Sequence, residues 1–150
     1  MDTDNIKETK KHIKRVKELL STICTKLRVR GDNHDNSKLK DPEVSIFEEY
    51  TSKLKDTEYG SKEYKKYLEE MKPALDHHYK ENSHHPEHYS NGISGMSLLD
   101  LMEMLADWRA ATERNKNGNI KKSIEINAER FQIDKQLKQI LLNTVKELHW

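Results

Sequence analysis

The sequence predicts an all-α protein, and three observations carry that expectation. Leu, Ile, Met and Val recur at spacings of three and four almost throughout, the period of one helix face. Only five Gly and three Pro interrupt 150 residues. No run alternates apolar with polar as a half-buried strand would. The length suits a single domain over residues 1–150, folded as a compact bundle of five to seven helices.

A first helix is expected from about Asp4 to Leu27, where Ile13, Val16, Leu20, Ile23 and Leu27 form one stripe that also carries His12. Arg28 to Lys40 reads as a loop or short turn around Gly31 and the His34-Asp35 pair. A second helix begins at Asp41-Pro42-Glu43, with Asp41 as cap, Pro42 in the first turn and Glu43 at the positive dipole end, and finishes before Gly60. The third starts near Ser61, spaces Tyr64, Leu68, Met71, Leu75 and His78 by fours and threes, and is expected to bend at Pro73. Glu81 to Ser97 forms a polar, histidine-rich loop too long for a mere connector, and such loops tend to carry function. Ser97 caps a fourth helix running to about Arg114, Gly118 turns the chain, and two more helical stretches split near Ile133-Asp134. Ile133, Leu137, Ile140, Leu141 and Leu148 make a core stripe or a homodimer face.

Charge excludes little and suggests little. Lys plus Arg (27) nearly cancel Asp plus Glu (26), which gives no global reason to expect nucleic acid, so that role ranks last. From Asn5 to Lys40 there are 11 basic against 4 acidic residues, a lobe suited to an anionic substrate; a solvated helix surface explains it equally well. No stretch reaches the ~20 apolar residues of a membrane span. The acidic start, Met1 to Asp4, predicts no signal peptide, and a single cysteine, Cys24, leaves no internal disulfide. A cytoplasmic location is expected.

Chemistry concentrates in the histidines. Seven of the eight fall at positions 12, 34, 77, 78, 84, 85 and 88. A mixture of His with Asp suits borderline divalent ions, here manganese, iron, cobalt or zinc, with magnesium also possible. Any one histidine is more simply a loop residue; the clustering argues for the set. His78 is in phase with its helix's apolar stripe while His77 points about a quarter-turn away, which favours His78 as ligand and His77 as support. The fourth helix is apolar on nearly every side, yet Asp100, Glu103 and Asp107 stack along it. Buried carboxylates need a cation, so a metal or a nearby Lys or Arg is expected to face them.

Taken in order, these residues resemble the HD-domain superfamily of metal-dependent phosphohydrolases. His12 matches the helix-borne first histidine, His34-Asp35 the pair that names the family, and Asp107 the closing acid; His34-Asp35-Asn36-Ser37-Lys38 follows the His-Asp-x-x-Lys form. His84-His85-Pro86-Glu87 is similar to the His-His-x-Glu stretch of the cyclic-dinucleotide phosphodiesterase branch, although no Gly-Tyr-Pro follows. The strings His-Asp-x-Ser-Lys, His-His-Pro-Glu-His-Tyr and Leu-x-Glu-Met-x-x-Asp-Trp look most like a family of short HD-like bacterial and phage proteins, a likeness that brings no substrate with it.

The resemblance implies a hydrolase of a nucleotide or related phosphate ester using one or two divalent ions. His12, His34, Asp35 and Asp107 would hold one ion, and His78, His84 and His85 would complete a second that shares Asp35. Lys38 would stabilise charge on the phosphoryl oxygens, and Arg109 or Lys122 would reach the rest of the substrate. Glu103 would orient a histidine or accept a proton, and Glu8 would add a ligand beside His12. Two other readings stay open: a regulatory protein that binds metal or nucleotide without turnover, and a structural metal with function exercised through a protein partner.

Overall fold

A computed structural model describes residues 3–57, 61–114 and 116–150. They form six α-helices and three short 3-10 turns, with no strand among the described residues. The fold is all-α, as the spacing predicts. Two compact units divide it, Met1–His34 and Asp35–Trp150.

The first unit is one helix, α1 (Thr3–Asn33). It runs six residues past the expected end at Leu27 because Arg28, Val29 and Arg30 are ordinary helix residues, and one Gly at position 31 costs only ~1 kcal/mol. The expected loop therefore shrinks to the few residues around a 3-10 turn, Asn36–Leu39.

In the second unit, α2 (Glu43–Lys55) and α3 (Lys62–Glu81) pack as an antiparallel pair. Asp41 does not cap α2 as expected. Pro42 occupies the cap position, after a cis peptide bond, and the Asp41 carboxylate accepts from the Ser45 hydroxyl. Ser61 caps α3 by accepting from the Tyr64 amide at 3.0 Å, and the helix continues through Pro73 to Glu81. Asn82 stops it by folding its side-chain amide onto the His78 carbonyl, 2.8 Å away.

The loop that follows is compact, held by 3-10 turns at Pro86–His88 and Gly92–Gly95. At Gly95 a Cβ would fall 2.7 Å from Cβ of Tyr89, so only glycine fits there. Ser97 then caps α4 (Leu98–Glu113) in a reciprocal capping box with Asp100. α5 (Ile120–Arg130) and α6 (Lys135–Glu147) complete the unit, capped by Asn119 and Asp134. Leu105, Ile120, Ile124, Ala128, Ile133, Leu141 and Val145 form the core between α4, α5 and α6, with Trp108 stacked on Phe131 at its edge. The expected stripe of the last helix is thus split: Leu141 is buried, whereas Ile140 and Leu148 face out.

Candidate metal centre

The site grows from one buried acid. Glu43, the first residue of α2, is fully buried, and each of its carboxylate oxygens is used. Oε1 accepts from Nδ1 of His77 at 2.7 Å, while Oε2 accepts from Nδ1 of His78 at 2.9 Å and from the Ser37 hydroxyl at 3.0 Å. Asn82 donates to Ser37 at 2.7 Å and so ties the turn to the end of α3. Burial opposes the charge on Glu43, but hydrogen bonds from His77, Ser37 and His78 outweigh it and hold its pKa below the ordinary carboxylate value.

That clamp decides the chemistry of His78. With Nδ1–H committed to Glu43, the neutral ring presents a bare Nε2 lone pair on its other side. Nε2 lies 2.9 Å from Nε2 of His85 and 3.4 Å from Oδ1 of Asp35. His84 is held in the same way: Nδ1 lies 3.2 Å from Oε1 of Glu103 on α4, and Nε2 lies 3.5 Å from the same Asp35 oxygen. One ligand atom each from Asp35, His78, His84 and His85 therefore lies within 4.8 Å of the others.

Three imidazole nitrogens and one carboxylate oxygen, two of the rings backed by carboxylates, form a donor set that suits a borderline divalent ion. His85 points the same way. Burial, reinforced by neighbouring His84 and His78, pulls its pKa down to about 3, so it is a neutral ring at pH 7 and available as a ligand. The charges of Asp107 on α4 and of Asp35 act on His85 in the opposite direction.

Several expected residues fall in this cluster, and several do not. Asp35, His78, His84 and His85 are brought together, with His77 and Glu103 behind two of the rings. Lys38 reaches Asp35 Oδ2 at 2.6 Å, which neutralises the oxygen turned away from the histidines. His12 is exposed on α1, and the uninterrupted helix from His12 to Asn33 spans roughly 30 Å at 1.5 Å per residue. With that helix intact, His12 cannot share an ion with the His34 of the same copy, contrary to the expected ligand set. Glu8 is likewise exposed and paired with Lys11 at 2.6 Å. His88 turns its Nδ1 to the Tyr79 carbonyl and serves the loop.

Asp100 is met by hydroxyl and amide donors. Its carboxylate accepts from the hydroxyls of Ser83, Tyr89 and Ser97 and from the Ser97 amide, at 2.7 to 3.0 Å. Ser97, three residues before Asp100, is the local capping-box signature for this contact.

A groove of about 620 Å³ opens from the cluster, lined by Asp35, Lys38, His78 and His85 at the ligand end. Its second cation is Arg114, at the end of α4. The expected Arg109 and Lys122 line other cavities, Arg109 with Trp150 and Lys122 beside Lys116 and Ser123. Arg114, the groove-lining Phe47 of α2 and the role of Glu43 are not legible in the sequence because none belongs to a local string: each depends on helix pairing. Among the described residues no helix is long and apolar enough to cross a membrane.

Comparison with known proteins adds a family and no named activity. No curated protein and no solved structure matches the chain. A family model described as "Family of unknown function (DUF5662)" matches residues 1–147, and the chain belongs to that family.

Proposed function

We propose that the protein is a metal-dependent phosphohydrolase acting on a nucleotide or related phosphate ester. The observation that carries this reading is the convergence of Asp35, His78, His84 and His85 at the head of an open groove. A catalytic site keeps access for water and substrate, and the groove reaches Asp35, His78 and His85. The likeness of His34-Asp35-Asn36-Ser37-Lys38 to the HD-domain pattern supports the same reading.

A divalent ion held by the four ligands would supply Lewis-acid polarisation of the phosphoryl group and acidify a water. The chain supplies the rest. Glu43 and Glu103 fix the tautomers of His78 and His84, so both rings offer Nε2 without a proton to displace. Lys38 screens Asp35 and stands at the groove wall, where its ammonium can meet a phosphoryl oxygen. Arg114 offers a second cation to an anionic ester.

Purified protein, stripped and reloaded with manganese or zinc, tests this with a panel of mono-, di- and cyclic nucleotides and p-nitrophenyl phosphate. Metal-dependent turnover lost in Asp35→Ala and His84→Ala is the expected result. Failure of the wild-type chain to bind a divalent ion, or turnover that survives Asp35→Ala, would overturn the proposal.

A further inference from the structure

The groove has an internal order that describes the organic half of its ligand. One wall is a single face of α2, made by Val44, Phe47, Glu48 and Thr51. Opposite stand Leu75 and Tyr79 of α3. Glu43 faces His77 and His78 while Tyr50 meets Tyr67, so distance from the ligands grows along α2. Phe47 lies about one turn from Glu43, and Thr51 about 12 Å of helix from it.

The sequence of chemistries is therefore ligands and Lys38 at the head, the apolar and aromatic Phe47 and Leu75 about a helical turn along with the Glu48 carboxylate beside Phe47, and the Thr51 hydroxyl one turn further. Leu39, 75 % exposed, extends the apolar rim. An apolar midsection favours a flat, uncharged body, since an aromatic side chain offers a stacking face to any planar ring. An ionised carboxylate accepts hydrogen bonds and cannot donate them, so Glu48 favours a ring edge carrying N–H and repels one carrying a carbonyl.

We propose that this groove selects the substrate's organic group, taking a planar ring with an exocyclic amine, the ring against Phe47 and Leu75 and the amine donating to Glu48. The proposal rests on the phosphohydrolase reading above, and its chemical class is a nucleoside phosphate with an amino-bearing base. Cytosine and uracil make the sharpest pair, because they match in size and differ at position 4 by an amine against a carbonyl; uracil's ring N–H sits between two carbonyl oxygens, which a carboxylate approaching it meets as well.

The test compares dCMP with dUMP on the manganese-loaded full chain. A charge-assisted hydrogen bond predicts a kcat/KM ratio of about tenfold or more in favour of dCMP. Glu48→Gln, at an exposed position where folding is not at stake, should bring the ratio to about twofold or less, because an amide can donate as well as accept. Phe47→Ala should lower kcat/KM for both nucleotides. A wild-type ratio near one, a ratio unmoved by Glu48→Gln, or cleavage of p-nitrophenyl phosphate with neither nucleotide cleaved would overturn the assignment while leaving the hydrolase reading in place. If no ester is turned over, the hydrolase reading has failed instead, and calorimetric binding of dCMP and dUMP to the same loaded chain decides. The tenfold preference and its loss in Glu48→Gln would then sustain the groove assignment; equal or absent binding would end it.

Discussion

Glu43 touches no substrate in the arrangement described, yet it sets what two neighbouring histidines can do. Because it holds Nδ1 of both His77 and His78, its loss frees the His78 ring to rotate or change tautomer. Glu43→Gln should weaken manganese or zinc affinity about 10- to 100-fold, measured by competition with a chelator, with a smaller effect on helix content by circular dichroism. Unchanged affinity would remove Glu43 from the site. Asp100 offers a contrasting case, a buried acid that belongs to the capping box of α4. Burial opposes its ionisation, but donors from Ser97, Ser83 and Tyr89 prevail and hold its pKa well below the ordinary 3.8. A folded value below the unfolded one means that its contribution is complete above about pH 4 and drains away as the pH falls further. Asp100→Asn should cost about 2 kcal/mol at neutral pH in urea unfolding, and the difference from wild type should shrink on acidification below pH 4. The residue types at the site were legible in the sequence, since clustered histidines beside acids suit a metal ion. Which acid backs which ring was not, because Glu43 and His78 meet only after α2 and α3 pair.

At the scale of elements, sequence signals were most reliable where chemistry is local. The Ser97 cap and the three-four spacing of α3 both rest on residues within a turn of one another, and both appear where expected. Asp41-Pro42-Glu43 failed as a start signal in detail, because Asp41 engages Ser45 and leaves the cap position to Pro42. The run past Leu27 was hidden by Gly31, which reads as a stop until the helix formers around it are weighed. The loop carrying His84 and His85 is pinned from outside by Glu87, which pairs with Arg130 of α5 at 2.8 Å. That pair is exposed and contributes little to global stability. Arg130→Ala should therefore leave the urea midpoint within about 0.5 kcal/mol of wild type while raising amide exchange across the loop, and equal protection in both proteins would show that the turns alone hold it.

At the scale of the whole molecule, ion binding and stability become one equilibrium. Any ligand that binds the folded chain alone raises its stability by RT ln(1 + [L]/Kd), about 2.7 kcal/mol at a hundredfold excess over Kd. Saturating manganese or zinc should raise the unfolding midpoint of the wild-type chain, EDTA should reverse the shift, and His84→Ala should show none. A core substitution supplies the reference: Ile124→Ala, at a site with no exposure, should cost about 2 to 5 kcal/mol with or without metal. The all-α class and the burial of α4, Ile133 and Leu141 were readable from periodicity, which is a property of single helices, whereas Ile120, Ile124 and Ala128 of α5 were not. The groove and its second cation were not, because they arise between helices.

The cluster draws on three separate stretches, the turn after His34, the end of α3 and the loop before α4, and 45 positions separate Ser37 from the Asn82 that secures it. Such contacts close a long loop before any reward is collected, so they belong late on the folding route. An ion cannot then act as a nucleus for this chain. Held by the cluster, it would act as a bolt thrown after the door is shut: stopped-flow experiments should find the unfolding limb slowed by metal and the refolding limb untouched.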